Sequence, residues 1–317
     1  MNLTLLLSGF PAVPAQRCKS LETLLSRGDA HRATEGGAHA ALAEVFHLSA
    51  ARIAVAPLTR LADTGCRDDA CWLRADPVHL AADRDQLVML PRSALDVTLA
   101  EAEALAETFN RMYRDDGLLL EAPVPSRWYL RVPADLDCVT HDLAEVQGNP
   151  VLDFMPTGAD QTRIRQLMNE MQMLFHEHPV NQAREAGGKP AINSVWLWGG
   201  GRLPEIAQKG PRQVITDLPL ARGLALLAGS RCVSWPAAQG TVPLTDESLI
   251  ALDVSNAESL STLERDVAGP LLAALRSGGL KAVDIYSAGA VFYRTTPAMT
   301  YRFWRSRRPL AALLEKP

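Results

Sequence analysis

Residues 194–202 read SVWLWGGGR, and they constrain the fold more than any other part of the chain. Trp196 and Trp198 flank Leu197 and follow Ser194-Val195, a β-branched and aromatic content that predicts a strand. Gly199, Gly200 and Gly201 are expected to end it abruptly. A strand running into Gly-Gly-Gly-Arg lets backbone N–H groups approach an anion closely, because glycine accepts φ > 0 and adds no bulk. Upstream, Asn181, Arg184, Lys189 and Asn193 gather as donors within a short span. A second reading is a buried strand with two core tryptophans and a turn. Spacing alone favours it, since an isolated glycine run is a weak phosphate signal.

At 317 residues the chain has room for one large core or two smaller ones. Its 47% hydrophobic and 21% charged content fits a soluble globular protein. A net charge of −4 argues against nucleic acid as the main partner. The opening MNLTLLLSGF lacks a basic n-region, and its apolar run is short for a signal peptide, so it predicts a first buried strand. No apolar run approaches the roughly 20 residues that span a bilayer. No membrane partner and a cytoplasmic location are therefore expected. The five cysteines, at 18, 66, 71, 138 and 232, are odd in number and scattered, which predicts reduced thiols rather than a disulfide framework. Cys66 and Cys71 match no common zinc spacing.

Apolar patterning predicts strands at 3–7, 51–58 (closed by Pro57), 78–80, 87–90, 126–132, 249–254 and 282–287, with residues 289–293 extending a last one. Helices are expected at 20–27, 38–47, 99–113, 161–177, 221–227 and from about 261 to 276. Met168, Met171 and Met173 are expected to fill the core. His31, His39 and His47 read as surface positions of adjacent helices, and His176 and His178 as helix-ending imidazoles favoured in their charged form by the dipole. Strands alternating with helices at both ends predict an α/β domain with a mostly parallel sheet. The middle reads as an α+β insert, giving a core first part (1–74), an insert (75–190) and a core second part (191–317).

Several motifs now support a comparison. His141-Asp142 precedes a glycine turn, and Pro156-Thr-Gly158 precedes a helix. Val180-Asn181 with Arg184, Gly188-Lys189-Pro190-Ala191 with Asn193, and Trp196 to Pro204 follow. In this order they resemble the archaeal-type cofactor-independent phosphoglycerate mutases, most specifically over residues 75–205. Together with DPVHLAADRDQL and INSVWLWGGG, the pattern looks most like the bacterial RpfE-type regulatory proteins. The resemblance implies an alkaline-phosphatase-like α/β core interrupted by an α+β insert, and for the mutases a two-metal centre.

The chain departs from that pattern where the chemistry belongs. The family's Asp-Gly after the first strand is Ser8-Gly9 here, and no histidine follows His178. A dinuclear site needs carboxylates and imidazoles from several strand ends beside a hydroxyl nucleophile. The expectation is therefore a non-catalytic relative with no metal and no cofactor. It would recognise a small phosphorylated or carboxylate ligand through Asn181, Arg184, Lys189, Asn193 and Arg202, with His141 and Asp142 lining the cleft. Arg202 would offer a planar fork and Arg184 and Lys189 charge. Against this stands hinge bracing by the same groups. An active enzyme would need a metal set such as Asp76, His79, His141, Asp142 and Asp253, with Ser8 or a nearby threonine as nucleophile. A third reading is an interaction module in which the insert presents a protein-binding face, with aromatics of residues 126–132 or 301–308 expected to be exposed.

Overall fold

The computed structural model describes residues 2–10, 16–33, 37–48, 53–83, 86–236, 246–287 and 291–314. Thirteen strands lie among them: β1 (Asn2–Ser8), β2 (Asp29–Arg32), β3 (Cys71–Val78), β4 (Leu80–Asp83), β5 (Gln86–Met89), β6 (Leu119–Val124), β7 (Arg127–Val132), β8 (Ser194–Gly201), β9 (Gln213–Thr216), β10 (Arg231–Ser234), β11 (Ser248–Asp253), β12 (Ala282–Tyr286) and β13 (Val291–Thr295). The chain forms two compact units, Met1–Ile53 with Glu205–Pro317, and Ala54–Pro204. The expected boundaries at 74/75 and 190/191 would cut β3 in two and separate it from its partner β8. The antiparallel pairing of β3 with β8 keeps both in one unit.

The first unit holds a seven-stranded sheet in the order β10-β9-β11-β1-β12-β13-β2. Its first five strands run parallel, and β13 and β2 add an antiparallel edge. In β1, Leu3, Leu5 and Leu7 point to one face and Leu6 to the other, and all four are buried. Near-continuous apolar content of this kind marks a strand covered on both faces, the normal state of a parallel sheet. Leu21, Leu24 and Leu25 of the helix Lys19–Arg27 and Leu271 and Leu275 of the helix Gly269–Arg276 pack into the same core. The helix expected from 261 starts earlier, at Ala257, where Asn256 and Ser259 form a reciprocal cap, and it passes through a π turn at Glu264–Ala268.

The second unit is built on an antiparallel sheet ordered β6-β7-β3-β8, with the hairpin β4-β5 beside it. The helix Leu99–Tyr113 begins at a capping box between Thr98 and Glu101 and buries Ala102, Leu105, Ala106 and Phe109, one face at 3.6-residue spacing. The helix Gln161–His176 buries Met168 and Met171 on such a face. Met173 falls off it and is exposed, against its expected core role. The turn expected at Asp83-Arg84-Asp85 includes residues 84 and 85, which lie outside the described residues, as do 51–52 and 289–290 of two expected strands.

Two further expectations are corrected in this unit. Residues 55–58 form no strand but the start of the helix Val55–Thr64. Pro57 sits in the first turn, where a missing N–H costs nothing, and Gly65 closes the helix in the left-handed region. The glycine triplet does not end β8, which continues through Gly201. A Cβ on Gly201 would come within 2.8 Å of the Ala54 Cβ, one on Gly199 within 3.0 Å of the Val55 Cβ, and one on Gly200 would strike the Leu73 side chain. Close packing explains the three glycines. Among the described residues no helix is long and apolar enough to cross a membrane.

Candidate functional site

In open parallel sheets, ligands bind outside the carboxyl ends of the strands. In the first unit this edge carries Ser8 at the end of β1, Asp253 at the end of β11 and Asp217 just after β9. Parallel register places Ser8 opposite Asp253. Ser8 Oγ donates to the Leu252 carbonyl at 3.4 Å. Asp253 Oδ1 accepts from the Ser255 amide at 2.9 Å, and Asp217 Oδ1 accepts from the Asp253 amide at 3.0 Å. Gly9 turns the chain here at φ +73°, and any Cβ would collide with the Asp253 carboxylate. Asp217 is exposed by area, yet the surrounding protein desolvates its carboxyl and raises its pKa, with the charge of Asp253 adding to the shift.

This donor set does not fit a two-metal centre. It offers two carboxylates, each already turned toward backbone N–H groups, one hydroxyl and no imidazole. Among the described residues no three His, Cys, Asp or Glu side chains cluster with metal-holding geometry. The other members of the alternative set belong to the second unit. There Asp76 is fully buried against Arg74 and Trp198, and His79 Nδ1 lies 2.7 Å from the Ala191 carbonyl. Asp142 caps the short helix Leu143–Val146, accepting from the Ala144 and Glu145 amides.

The residues expected to recognise an anion serve the second unit as braces. Asn181, 1% exposed, donates to the Phe175 and Ile192 carbonyls at 2.8 and 2.9 Å and accepts from the Ile192 amide at 2.7 Å. Arg184, 2% exposed, donates to the carbonyls of Pro190, Asp96 and Leu95 and to Glu101 at 3.0 Å. Asn193 pairs with both backbone groups of Leu80, mimicking a strand partner. Arg202 reaches Asp135 at 2.7 Å and the Asp69 carbonyl, and Lys189 reaches Asp96 at 3.1 Å. His141 Nδ1 lies 2.6 Å from Glu145, and its ring meets Phe154 edge-on. Backbone carbonyls inside loops must find donors, and Asn181, Arg184, Asn193 and Arg202 are those donors, whereas Lys189 and His141 pair with carboxylates. His178 is also reassigned. It caps the start of the helix Pro179–Ala186, with Nδ1 accepting from the Val180 amide, and burial lowers its pKa instead of favouring imidazolium. His31 lies on β2 rather than on a helix, stacked on Phe292.

One group of residues carried no functional expectation from sequence beyond the assignment of Asp76 to the alternative metal set. Arg74 and Asp76 alternate along β3 and so share a face, and both are buried. Register sets Arg74 between Tyr129 of β7 and Trp198 of β8. Its guanidinium lies 5.6 and 5.2 Å from the two ring centroids and pairs with Asp76, whose other oxygen accepts from Trp198 Nε1 at 2.7 Å. Beside them Arg127 forks onto Asp63, which also accepts from the Tyr129 hydroxyl at 2.6 Å. Burial pushes the Tyr129 phenol above its ordinary pKa.

A third arginine, Arg92, stands next to this pair of ion pairs. It donates to the Ser126 carbonyl and has no carboxylate within ion-pair distance among the described residues. It opens into a cleft of about 290 Å³ walled by Pro77, Val97 and Pro125, with Ser93 and Ser126 beside it. Asp96 on the rim is held by Lys189. Although Arg92 is exposed by area, desolvation by the surrounding protein lowers its pKa; the charge of Asp76 opposes the shift, and the charges of Arg74 and Arg127 add to it. The visible signal was the strand-like run CWLRADPV with two charges on one face.

No protein-family model matches the chain. It is 28% identical over 233 residues to a probable 2,3-bisphosphoglycerate-independent phosphoglycerate mutase of Geobacter sulfurreducens, covering 69% of this chain and 57% of that protein. A 2,3-bisphosphoglycerate-independent phosphoglycerate mutase of Methanothrix thermoacetophila is 30% identical over 163 residues, 49% of this chain and 40% of the relative. The chain thus spans little more than half the length of the first of these curated relatives, and less of the second. Among solved structures, the PH0037 protein from Pyrococcus horikoshii superposes with a TM-score of 0.54 at 14% identity, covering 93% of this chain and 87% of that one. The two share a mixed α/β fold with a mostly parallel central sheet.

Proposed function

We propose that this chain is a non-catalytic, metal-independent relative of the cofactor-independent phosphoglycerate mutases, of the RpfE-type regulatory group, which binds a small phosphorylated or carboxylate ligand. The observation that carries the proposal is the donor set at the carboxyl edge of the seven-stranded sheet. Ser8, Asp217 and Asp253 stand there with no histidine in a metal-holding cluster among the described residues, and the chain holds no histidine beyond His178. Electrophilic activation of a phosphoryl oxygen by two metals needs more ligands than these. The ligand's place is then the cleft at Arg92, not the braced residues 181–202. A guanidinium that lacks a carboxylate partner, sits in a concavity and is flanked by two serines offers a planar fork to an oxyanion.

The placement of a hydroxyl, Ser8, opposite Asp253 favours a second reading, an active metal-dependent mutase or phosphomonoesterase. Metal analysis of the purified protein, with turnover of 3-phosphoglycerate and p-nitrophenyl phosphate in added manganese, separates the two. The proposal expects no stoichiometric metal and no turnover. Stoichiometric metal with turnover abolished by Ser8→Ala would establish the enzyme instead. For the ligand, inorganic phosphate and malonate should each raise the melting temperature by mass action. Arg92→Gln should remove that shift and leave the melting temperature of the unliganded protein unchanged. A shift that persists in Arg92→Gln would remove the ligand from this cleft.

A further inference from the structure

The segment Tyr301 to Arg308 carries three aromatic side chains in solvent, Tyr301 at 59%, Phe303 at 83% and Trp304 at 69% exposure. Isolated exposed apolar residues are ordinary; a contiguous patch of large rings marks a binding surface. These rings do not belong to a loose tail. Arg302 forks onto Asp29 and donates to the Arg27 carbonyl, Arg305 reaches Asp29 and the Gly28 carbonyl, and the Arg308 amide donates to Ser26 Oγ at 2.9 Å. The turn is fastened from below by its cations, so its rings are held outward.

The same contacts leave charge over. Arg302 and Arg305 share the single carboxylate of Asp29. Arg307 lies 3.4 Å from Glu22, which already takes a bidentate contact from Arg17. Arg308 has no carboxylate partner among the described residues and donates to the Ala312 carbonyl. Five guanidiniums therefore meet two carboxylates. Behind Trp304 runs an open groove of about 490 Å³, with Leu25, Ala30, Tyr293 and Leu313 along it and Arg305 and Arg308 at its side.

We infer that this groove and its aromatic rim dock an acidic, apolar-bearing segment of a partner protein. An apolar lining with a surplus of cations at one side matches a peptide that presents carboxylates on one edge and a hydrophobic side chain on the other. Arginine and tryptophan are the residues most often found to dominate such interfaces. The open shape fits an extended segment better than a small molecule, which a pocket normally encloses. The concavity behind Trp304 fits a protruding side chain better than a flat lipid surface. The chain's overall charge of −4 disfavours a phosphate polymer. The surface lies wholly in the first unit and is independent of the Arg92 cleft.

The test is selection from a random twelve-residue peptide display library on the full chain, with parallel binding to phosphatidylserine vesicles and to single-stranded oligouridine. Selected peptides should be rich in Asp and Glu around an aromatic or aliphatic residue. A synthetic copy should bind at least tenfold more weakly to Arg308→Glu and to Trp304→Ser, and more weakly as salt rises. Both variants should melt with wild type, since neither side chain makes the fastening contacts. Selection of peptides without acidic residues, equal binding by both variants, or no selected peptide at all would overturn the inference. So would vesicle or oligouridine binding that is lost in the same variants while peptide binding is not seen.

Discussion

The two units bury charge to different extents. Ala54–Pro204 draws charged and amide side chains inward and satisfies them there, as in the Arg74–Asp76 pair and the Arg184–Glu101 brace. In Met1–Ile53 with Glu205–Pro317, the core cluster is apolar, Asp217 and Asp253 stand at the carboxyl edge of the sheet, and Glu22 is that unit's one fully buried acid among the described residues, forked by Arg17. A buried charge persists only with a partner, whereas a charge at a strand end can serve a ligand or nothing. The difference teaches where polar residues report on stability and where they are free to change. In this chain the residues most suggestive of binding, Asn181 and Arg184, are among the least free.

The largest expected effect lies in the second unit. Asp76→Ala leaves the buried Arg74 guanidinium without its carboxylate and Trp198 Nε1 without its acceptor. The loss should be about 3–5 kcal/mol, read from the denaturant midpoint. Replacing Arg74 and Asp76 together by apolar residues of similar volume should cost less than the single change. A midpoint within experimental error of wild type for Asp76→Ala would break the contrast between the units. Next comes Asn181→Ala, which orphans two carbonyls and one amide in a closed turn. Each orphaned buried group costs about 1–3 kcal/mol, so a loss near 3 kcal/mol is expected, with the ligand-dependent shift at Arg92 retained.

The smallest effect is expected at the sheet edge and carries a sign. Desolvation raises the folded-state pKa of Asp217 above its ordinary value, so the folded protein holds that proton more tightly than the unfolded chain. Stability from this group is therefore present at acid pH and declines as pH rises from the ordinary carboxylate range through the raised pKa. Asp217→Asn keeps an oxygen for the Asp253 amide and removes the ionised form. It should be neutral or stabilising by up to about 0.5 kcal/mol at pH 7, a gain that disappears in acid. A clear destabilisation at pH 7 would show that the carboxylate is needed in its charged form, and would bring the second functional reading forward.

What the sequence made legible follows the range of the interactions involved. The helix Leu99–Tyr113 was visible to the residue, because its capping box and its apolar face are encoded within its own turns. Leu3 to Leu7 announced a buried strand, and the structure covers it on both faces. By contrast β3 was missed except for Val78, the first residue of the strand expected at 78–80, since Arg74, Asp76 and Pro77 look wrong for a buried strand until Tyr129 and Trp198 are placed beside them. The glycines 199–201 were legible as special and misassigned in cause. Their necessity comes from Ala54, Val55 and Leu73, more than a hundred residues away in sequence. Arg92 carried no signal of its own. Its interest arises from a missing partner, which only three dimensions reveal.

The placement of tryptophan has a spectroscopic consequence. Four of the six indoles, Trp72, Trp128, Trp196 and Trp198, are buried in Ala54–Pro204, and the guanidinium of Arg60 lies 3.9 Å from the ring centre of Trp72. Intrinsic emission is thus weighted toward that unit, whereas far-ultraviolet ellipticity sums over both. If the units melt separately, the two optical probes will trace different curves from one sample, and their divergence will measure how far each unit stands without the other.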